Sequence, residues 1–223
     1  MKSINANNTF LRLVRFLILV ASVVMLGVVF MLGVIRCRAF IHHPSTRMLS
    51  NGRAIHQLIF TYEPFDIYRS SFVDVWPTKD SEHYESNSTS YFAWLMSSEV
   101  MVFGEDYELF SGAGIPQANS LEEFQSDHNV WSVVADVDKA SDSRMPFLVT
   151  RNLNESRLVD WQGTRQNELE NLGSRKPGGY VTPFNRRKVM VIRVDGGGES
   201  ISRRNLIWEN LNPVSADHAI LEP

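Results

Sequence analysis

The most constraining feature of this 223-residue chain is an uncharged apolar stretch at residues 16–35, FLILVASVVMLGVVFMLGVI. Its only polar side chain is that of Ser22. A helix of 20 residues rises about 30 Å, which matches the hydrocarbon core of a bilayer. The stretch therefore predicts a membrane-spanning helix.

A cleaved signal peptide is the alternative interpretation of this stretch. Basic residues do precede it, as in a signal peptide, but the apolar run is longer than the ~7–15 residues of a signal-peptide core. The sequence that follows, RCRA at residues 36–39, lacks a small-x-small cleavage site. We therefore expect an uncleaved anchor.

Charge is distributed unevenly along the chain. Residues 1–53 carry seven Lys/Arg and no Asp/Glu, whereas residues 54–223 carry 15 Lys/Arg and 25 Asp/Glu. Phosphate contacts need clustered Lys and Arg, so the acidic C-terminal part argues against nucleic acid as a partner. The basic part suits lipid headgroups. Because positive charges flank the apolar stretch on both sides, charge leaves either membrane topology open.

The single cysteine, Cys37, lies at the predicted membrane boundary. One cysteine cannot form an intrachain disulfide, and it excludes a structural zinc site of the Cys-rich kind. The C-terminal domain must therefore be stabilised by packing alone.

An amphipathic helix is predicted after the span, over residues 46–62. Its apolar residues follow the i, i+3, i+4, i+7 pattern, and Pro44 marks a kink or a break before it. We expect Asn51-Gly52 to interrupt the apolar face and His56 to lie on the polar side. The apolar face comprises Met48, Ile55, Leu58, Ile59 and Tyr62.

Beyond this helix the patterns predict short helices first and strands later. Residues 130–137 alternate as a half-buried strand, and residues 188–194 are apolar on both faces, as in a central strand. A polar turn joins the first strand to the second in a hairpin. Helices are expected at 88–98, 120–126 and 203–209, and strands at 130–137, 147–150, 180–184, 188–194 and 199–202.

The fold class predicted from these elements is α+β, in which a transmembrane helix is continued by an amphipathic helix that packs on an antiparallel sheet. The expected organisation is a basic tail, the transmembrane helix, a membrane-proximal helix and a globular domain. These parts cover residues 1–15, 16–35, 36–62 and 63–223.

This layout resembles the type IV pilins and the pseudopilins of type II secretion. The apolar helix runs into SNGRAIHQLIFTYEPFD at 50–66, followed by Trp76-Pro77-Thr78 and STSYFAWLM at 88–96. NVWSVVADV, PFLVTRNL and VMVIRVDGGGESI are similar to the sheet of such proteins. The resemblance implies a pilin-like fold, assembly through the anchor helix, a place in the inner membrane and a periplasmic C-terminal domain.

The sequence departs from the processing motif of that family. The family has a glycine before a phenylalanine or methionine, and a glutamate five residues into the mature helix. Here Arg15 precedes Phe16, and Val20 stands at the glutamate position. The resemblance is therefore to an unprocessed relative that keeps an ordinary membrane anchor.

Two loops have residue types that can bind ligands. Gly196-Gly197-Gly198 follows a strand, but without a Lys-Ser/Thr and a long helix it indicates a hairpin turn and not a phosphate loop. Asp136, Asp138 and Asp142 offer carboxylates for calcium. That loop lacks the glycine and the distant glutamate of an EF-hand, so a solvated turn is the favoured interpretation and calcium binding the alternative.

The remaining polar and aromatic candidates form no recognisable catalytic set. Asp127-His128 has no serine or cysteine partner in sequence, and no histidine pair has metal-ligand spacing. An enzyme would need several of Asp127, His128, Asp136 and Asp160 to converge in one pocket. Among the tryptophans, Trp161 and Trp208 are the expected surface contacts.

The sequence thus favours a non-enzymatic, membrane-anchored, pseudopilin-like structural or assembly subunit of the bacterial envelope, with no catalytic, cofactor or metal residues. Its expected partners are the lipid bilayer, copies of itself or related subunits through the N-terminal helix, and secretion-system components. The alternative is a membrane-tethered extracytoplasmic ligand-binding or sensor domain that uses residues 152–180 and Trp161.

Overall fold

The computed structural model describes residues 18–31, 44–62, 75–78, 87–97, 102–153, 155–162 and 187–223. The chain divides into two compact units, Met1–His43 and Pro44–Pro223. In the first unit, residues 18–31 form helix α1. None of the helices in the described ranges combines the length and the apolar character needed to cross a bilayer. The ends of the predicted span and the link across residues 32–43 lie outside those ranges.

Among its described residues, the second unit contains a six-stranded antiparallel sheet. The strands lie in the order β3-β6-β1-β2-β4-β5. The β1–β2 hairpin is in the predicted place, with Trp131 opposite Thr150 and Val133 opposite Leu148. The strands are β1 (Trp131–Val134), β2 (Pro146–Thr150), β3 (Arg157–Leu158), β4 (Lys188–Arg193), β5 (Gly198–Ser202) and β6 (His218–Leu221).

Helix α2, Pro44–Thr61, packs on β4 and β5. Proline suits the first turn of a helix, where its missing N–H is not needed. The closest approach is at Gly52, where a Cβ atom would lie 2.6 Å from Cγ1 of Ile192 and 2.9 Å from Cη2 of Trp131. The buried face of α2 consists of Met48, Asn51, Gly52, Ile55, His56 and Ile59.

This face corrects two predictions about the helix. Asn51-Gly52 does not interrupt the buried face, because the missing side chain of Gly52 is what lets the helix backbone approach the sheet. His56 is not on the polar side, because only 7 % of it is exposed. Leu58 and Tyr62, which were expected on the apolar face, are only partly buried against the core.

The segment between α2 and the sheet adds an aromatic layer to the core. Helix α3, Ser88–Met96, begins after Asn87, whose Oδ1 accepts a hydrogen bond from the backbone N–H of Ser90. Tyr91, Phe92, Leu95 and Met96 are buried, and Phe92 packs on Phe110 with ring centroids 4.7 Å apart. Short 3-10 turns follow at Tyr107–Phe110 and Ser126–His128.

Other elements differ from the prediction for identifiable reasons. Strand β1 is buried at all four positions, not half-buried, and it lies inside the sheet between β6 and β2, with Trp131 close to Gly52 of α2. Residues 121–123 form a turn, not the start of a helix at 120–126, although the Ser120 hydroxyl accepts a hydrogen bond from Glu123 N–H. The helix expected at 203–209 is a 3-10 turn, Arg203–Asn205, followed by α4, Trp208–Leu211.

The β4–β5 turn follows the prediction for the glycine run. Gly196 has a φ of +79°, and its N–H donates to the carbonyl of Arg193 at 2.9 Å. Arg193 N–H in turn donates to the carbonyl of Gly197 at 2.8 Å. This is a three-residue hairpin loop with a glycine in the left-handed position, the arrangement that joins two twisted antiparallel strands. The strand expected at 180–184 lies outside the described residues.

Candidate functional site

Helix α1 exposes its apolar side chains on all sides. Every residue from 18 to 31 is exposed, and the large apolar side chains have exposed fractions between 41 % and 77 %. The hydroxyl of Ser22 does not disturb this surface, because it donates to the carbonyl of Ile18 at 2.8 Å. The helix is therefore an apolar surface suited to an apolar partner.

His56 joins α2 to the end of β4. Its Nε2 lies 2.6 Å from the carbonyl oxygen of Val194. The imidazole stacks on Phe60 at 5.5 Å between ring centroids and meets Phe147 edge-on at 6.0 Å. A buried imidazole is tolerated when it is hydrogen-bonded, and this one fixes the helix relative to the hairpin turn. Its role in the structure is packing and positioning.

A polar cleft of about 500 Å³ lies beside β5, between that strand and the segment 205–213. We call it the Arg193 cleft, because the Arg193 guanidinium joins its walls. Arg193 donates to the carbonyls of Asn210 at 2.8 Å and Arg144, and pairs with the carboxylate of Glu199. Only 14 % of the Arg193 side chain is exposed. The rest of the lining comes from Ser200, Ile201, Asn205, Glu209 and Pro213.

Arg144 stands at the rim of this cleft and is held by Asp142. Its Nε and Nη2 lie 3.2 and 3.1 Å from the two carboxylate oxygens, a bidentate arrangement. These hydrogen bonds lower the pKa of Asp142 and raise the pKa of Arg144. Both main cationic groups of the cleft are thus already paired with carboxylates, which makes the cleft a poor site for a free anion.

The start of α2 is tied to the rest of the domain by two cations. Lys188 donates to the hydroxyl of Ser45, and burial lowers the pKa of the Lys188 amine. Arg47 pairs with Glu108 at 2.6 Å. These contacts anchor the helix at the end that follows the basic segment of the chain.

The three aspartates that could offer carboxylates to calcium each make other contacts in the structure. Asp138 accepts from Ala140 N–H at 2.9 Å and Ser141 Oγ at 2.8 Å, which closes the turn. Asp142 pairs with Arg144. Asp136 has a φ of +59°, and its N–H donates to the carbonyl of Pro77. In the described part of the chain, which includes all three, no group of three His, Cys, Asp or Glu side chains is placed to hold a metal ion.

Of the four residues that an enzyme would need, Asp127 and His128 lie at the opposite end of strand β1 from Asp136. Asp127 contacts His128, with Oδ1 3.0 Å from Nδ1, ahead of strand β1. Asp136 follows the other end of that strand, roughly 13 Å further along it by strand geometry. Asp160 accepts from the Ser215 hydroxyl at 2.5 Å. Asp127 and His128 are therefore separated from Asp136 by the length of β1.

Trp161 and Trp208, the two tryptophans expected at the surface, differ in their burial. Trp208 was expected at the surface but is 6 % exposed, because the short helix α4 turns it into the core. Trp161 is partly buried, and its Nε1 donates to the carbonyl of Asn212 at 2.8 Å. Residues 163–180 of the proposed binding segment lie outside the described residues, so the ligand-binding alternative stays a prediction.

Sequence reasoning missed the Arg193 cleft. The signal was present as an arginine that ends an otherwise apolar strand, VMVIR, six residues before Glu199 across a glycine turn. A hairpin brings such residues to neighbouring positions on one face. The segment 205–213, which completes the cleft, has no pattern that predicts this location.

Comparison with known proteins adds no relative. No protein-family model, no curated protein and no solved structure matches this chain.

Proposed function

We propose that this protein is a membrane-anchored, pseudopilin-like structural or assembly subunit of the bacterial cell envelope. The observation that carries the proposal is helix α1, in which every residue is exposed and all but Ser22 are apolar or glycine. Such a surface is unstable in water and stable in the hydrocarbon core of a bilayer. The anchor is the uncharged stretch 16–35, flanked by basic residues that suit lipid headgroups.

The second support is the packing of helix α2 on the sheet of the C-terminal domain. Helix α2 lies on β4 and β5 through a buried face that reaches from Met48 to Ile59. The sheet is antiparallel, and four of its strands lie side by side in the order in which they occur along the chain: β1, β2, β4 and β5. A rod-like helix that packs on an antiparallel sheet is the arrangement that the pseudopilin resemblance implies. The proposed role is assembly with like subunits or a secretion apparatus, and it requires no catalytic residue.

The test is site-specific crosslinking in native membranes. Single cysteines at Val24 or Val29, in a Cys37→Ser background, are expected to give crosslinked homo- or hetero-oligomers upon oxidation. The full chain is expected to stay with the membrane after alkaline extraction. A protein that fractionates with soluble proteins, or that stays monomeric at every position tested, overturns the proposal.

A matched pair of charge substitutions separates anchoring from general damage. Val24→Arg places a charge near the middle of the apolar stretch, which costs about 2.5–3.5 kcal/mol in a bilayer, and is expected to weaken membrane retention. Gln57→Arg adds the same side chain at an exposed position of α2 and is expected to have no effect. Equal retention of both variants would show that the apolar stretch is not the anchor.

A further inference from the structure

Helix α2 and strand β4 begin at the same end of the domain. Lys188, the first residue of β4, donates to the hydroxyl of Ser45 in the first turn of α2. Further along both elements, Ile192 of β4 is the residue that Gly52 of α2 approaches. The helix and the strand therefore run in the same direction. The end at which they start is also where the second unit begins in the sequence, at Pro44.

Three exposed arginines lie together at this end. Ser202, the last residue of β5, is the register partner of Lys188. One position further, the N–H of Arg203 donates to the carbonyl of Arg187 at 2.9 Å, so the backbones of these two arginines are adjacent. Arg204 follows in the same 3-10 turn. We call Arg187, Arg203 and Arg204 the arginine patch. All three are exposed, and within the described residues none has an ion-pair partner.

The arginine patch is a basic region of an acidic domain. Residues 54–223 carry 15 Lys/Arg and 25 Asp/Glu, yet residues 171–194 contain six Lys/Arg and no Asp/Glu. Residues 200–208 contain two arginines and no acid. An acid that contacts the start of α2, Glu108, is already paired with Arg47. An anionic surface therefore repels the domain as a whole and attracts it at this patch, which gives the domain a preferred orientation.

We propose that the arginine patch binds the anionic headgroups of the bilayer in which the chain is anchored. The inference rests on the proposed function, because the anchor supplies the membrane. Nine residue steps separate Ile35, the last residue of the apolar stretch, from Pro44, and a chain of that length spans at most about 32 Å. An anchored chain therefore holds this end of the domain near the headgroups. Arginine suits the contact, because its planar guanidinium binds phosphate through two parallel hydrogen bonds.

The test follows the position of the patch in the full chain, reconstituted into vesicles with Cys37→Ser as background. A fluorophore on Ser202→Cys, beside Arg203, is compared with one on Ser143→Cys. Ser143 is exposed and lies at the opposite end of β4, where its carbonyl accepts from the N–H of Asp195. The vesicles contain phosphatidylcholine alone or mixed with phosphatidylglycerol, and both kinds include a lipid whose headgroup carries a fluorescence quencher.

The label at position 202 is expected to be quenched more strongly in the vesicles that contain phosphatidylglycerol. The increase should disappear at ~1 M salt, where the Debye length falls to about 3 Å. The label at position 143 is expected to respond equally to both lipid compositions, because it lies about 20 Å further along the strand direction.

Two double variants with equal changes in net charge test the arginines themselves. A cation near an anionic membrane contributes about fivefold to binding, so Arg203→Gln with Arg204→Gln should weaken the contact about 30-fold and remove the lipid-dependent quenching. The control is Lys139→Gln with Arg157→Gln, which removes two exposed cations from other parts of the domain. This control is expected to keep the quenching.

Three results would overturn the proposal: no increase in quenching at position 202, an equal increase at position 143, or equal quenching in the two double variants. Binding of a double-stranded oligonucleotide that depends on Arg203 and Arg204, without a response to lipid, would overturn it in favour of nucleic acid. A chain that resists alkaline extraction but shows no lipid-dependent quenching rejects this contact alone. A chain that is extracted rejects the proposed function and this inference with it.

Discussion

The contact between α2 and the sheet at Gly52 predicts a measurable penalty for the smallest possible substitution. In Gly52→Ala, the new methyl group would lie 2.6 Å from Cγ1 and 2.9 Å from Cδ1 of Ile192, whereas carbon atoms prefer a separation of about 3.5–4.0 Å. Ile192 and Trp131 are both fully buried, so neither can swing into solvent. The Trp131 ring is also held by its Nε1–H, which donates to the carbonyl of Leu109 at 3.2 Å.

Two opposing effects set the size of this penalty. Overpacking a well-packed core costs about 1–3 kcal/mol. Replacing glycine by alanine within a helix stabilises the helix by up to about 1 kcal/mol. Because about 1 Å of displacement is needed between two immobile layers, we expect the packing cost to exceed the helix gain. Gly52→Ala should therefore lower the free energy of unfolding by about 1–2 kcal/mol.

The assay is chemical unfolding of the full chain in detergent micelles, followed by tryptophan fluorescence. Ser50→Ala, at an exposed position of the same helix, is the control and should change stability by less than about 0.5 kcal/mol. Ile192→Ala removes Cγ1 and Cδ1, two of the three atoms that the new methyl group would crowd, so the double variant should lose less than the sum of the single losses. A Gly52→Ala protein that is more stable than the parent would refute the close approach of helix and sheet.

Two further predictions concern the Arg193 cleft. Arg193→Met leaves the carbonyl of Asn210 without its donor and should lower the free energy of unfolding by about 1–3 kcal/mol in the same assay. The control, Arg204→Met at an exposed position, should change it by less than about 0.5 kcal/mol. Equal effects of the two variants would contradict the bridging role of Arg193. Asp142 has a folded-state pKa below its ordinary value of 3.8 because Arg144 donates to it, so its stabilisation is present above about pH 4 and is lost as pH falls through the lowered pKa. Asp142→Asn should therefore make stability less dependent on pH below about 4 in an acid titration, and an unchanged titration would show that the pair contributes nothing.

Much of the architecture follows from local patterns in the sequence. The α+β class and the antiparallel sheet are confirmed, and the β1–β2 and β4–β5 hairpins join strands that are close in the chain. Strand β6 could not be predicted. It is four residues long, and its place beside β1 depends on a pairing with Val133 and Val134 more than 80 residues away. Short strands at the ends of chains have too few residues to show a period.

The errors on α2 have a different physical cause. The buried positions Met48, Gly52, Ile55 and Ile59 do follow helical spacing, but classifying residues by hydrophobicity alone excludes glycine and histidine from the core. Gly52 is buried because the sheet comes close, and His56 because a carbonyl and aromatic rings surround it. Both reasons depend on residues far away in the chain, which no local pattern contains.

The predicted anchor shows how far composition and structure together constrain function. Eleven large apolar side chains of α1 are exposed, and each has roughly 1–2 kcal/mol of burial free energy left to gain, on the order of 15 kcal/mol in all. That is comparable to the entire stability of a typical domain, about 5–15 kcal/mol. An apolar partner that covers this helix therefore determines where the protein resides, and the proposed function assigns that role to the bilayer. The C-terminal domain would then make its contacts in water, where hydrogen bonds and ion pairs select the partner.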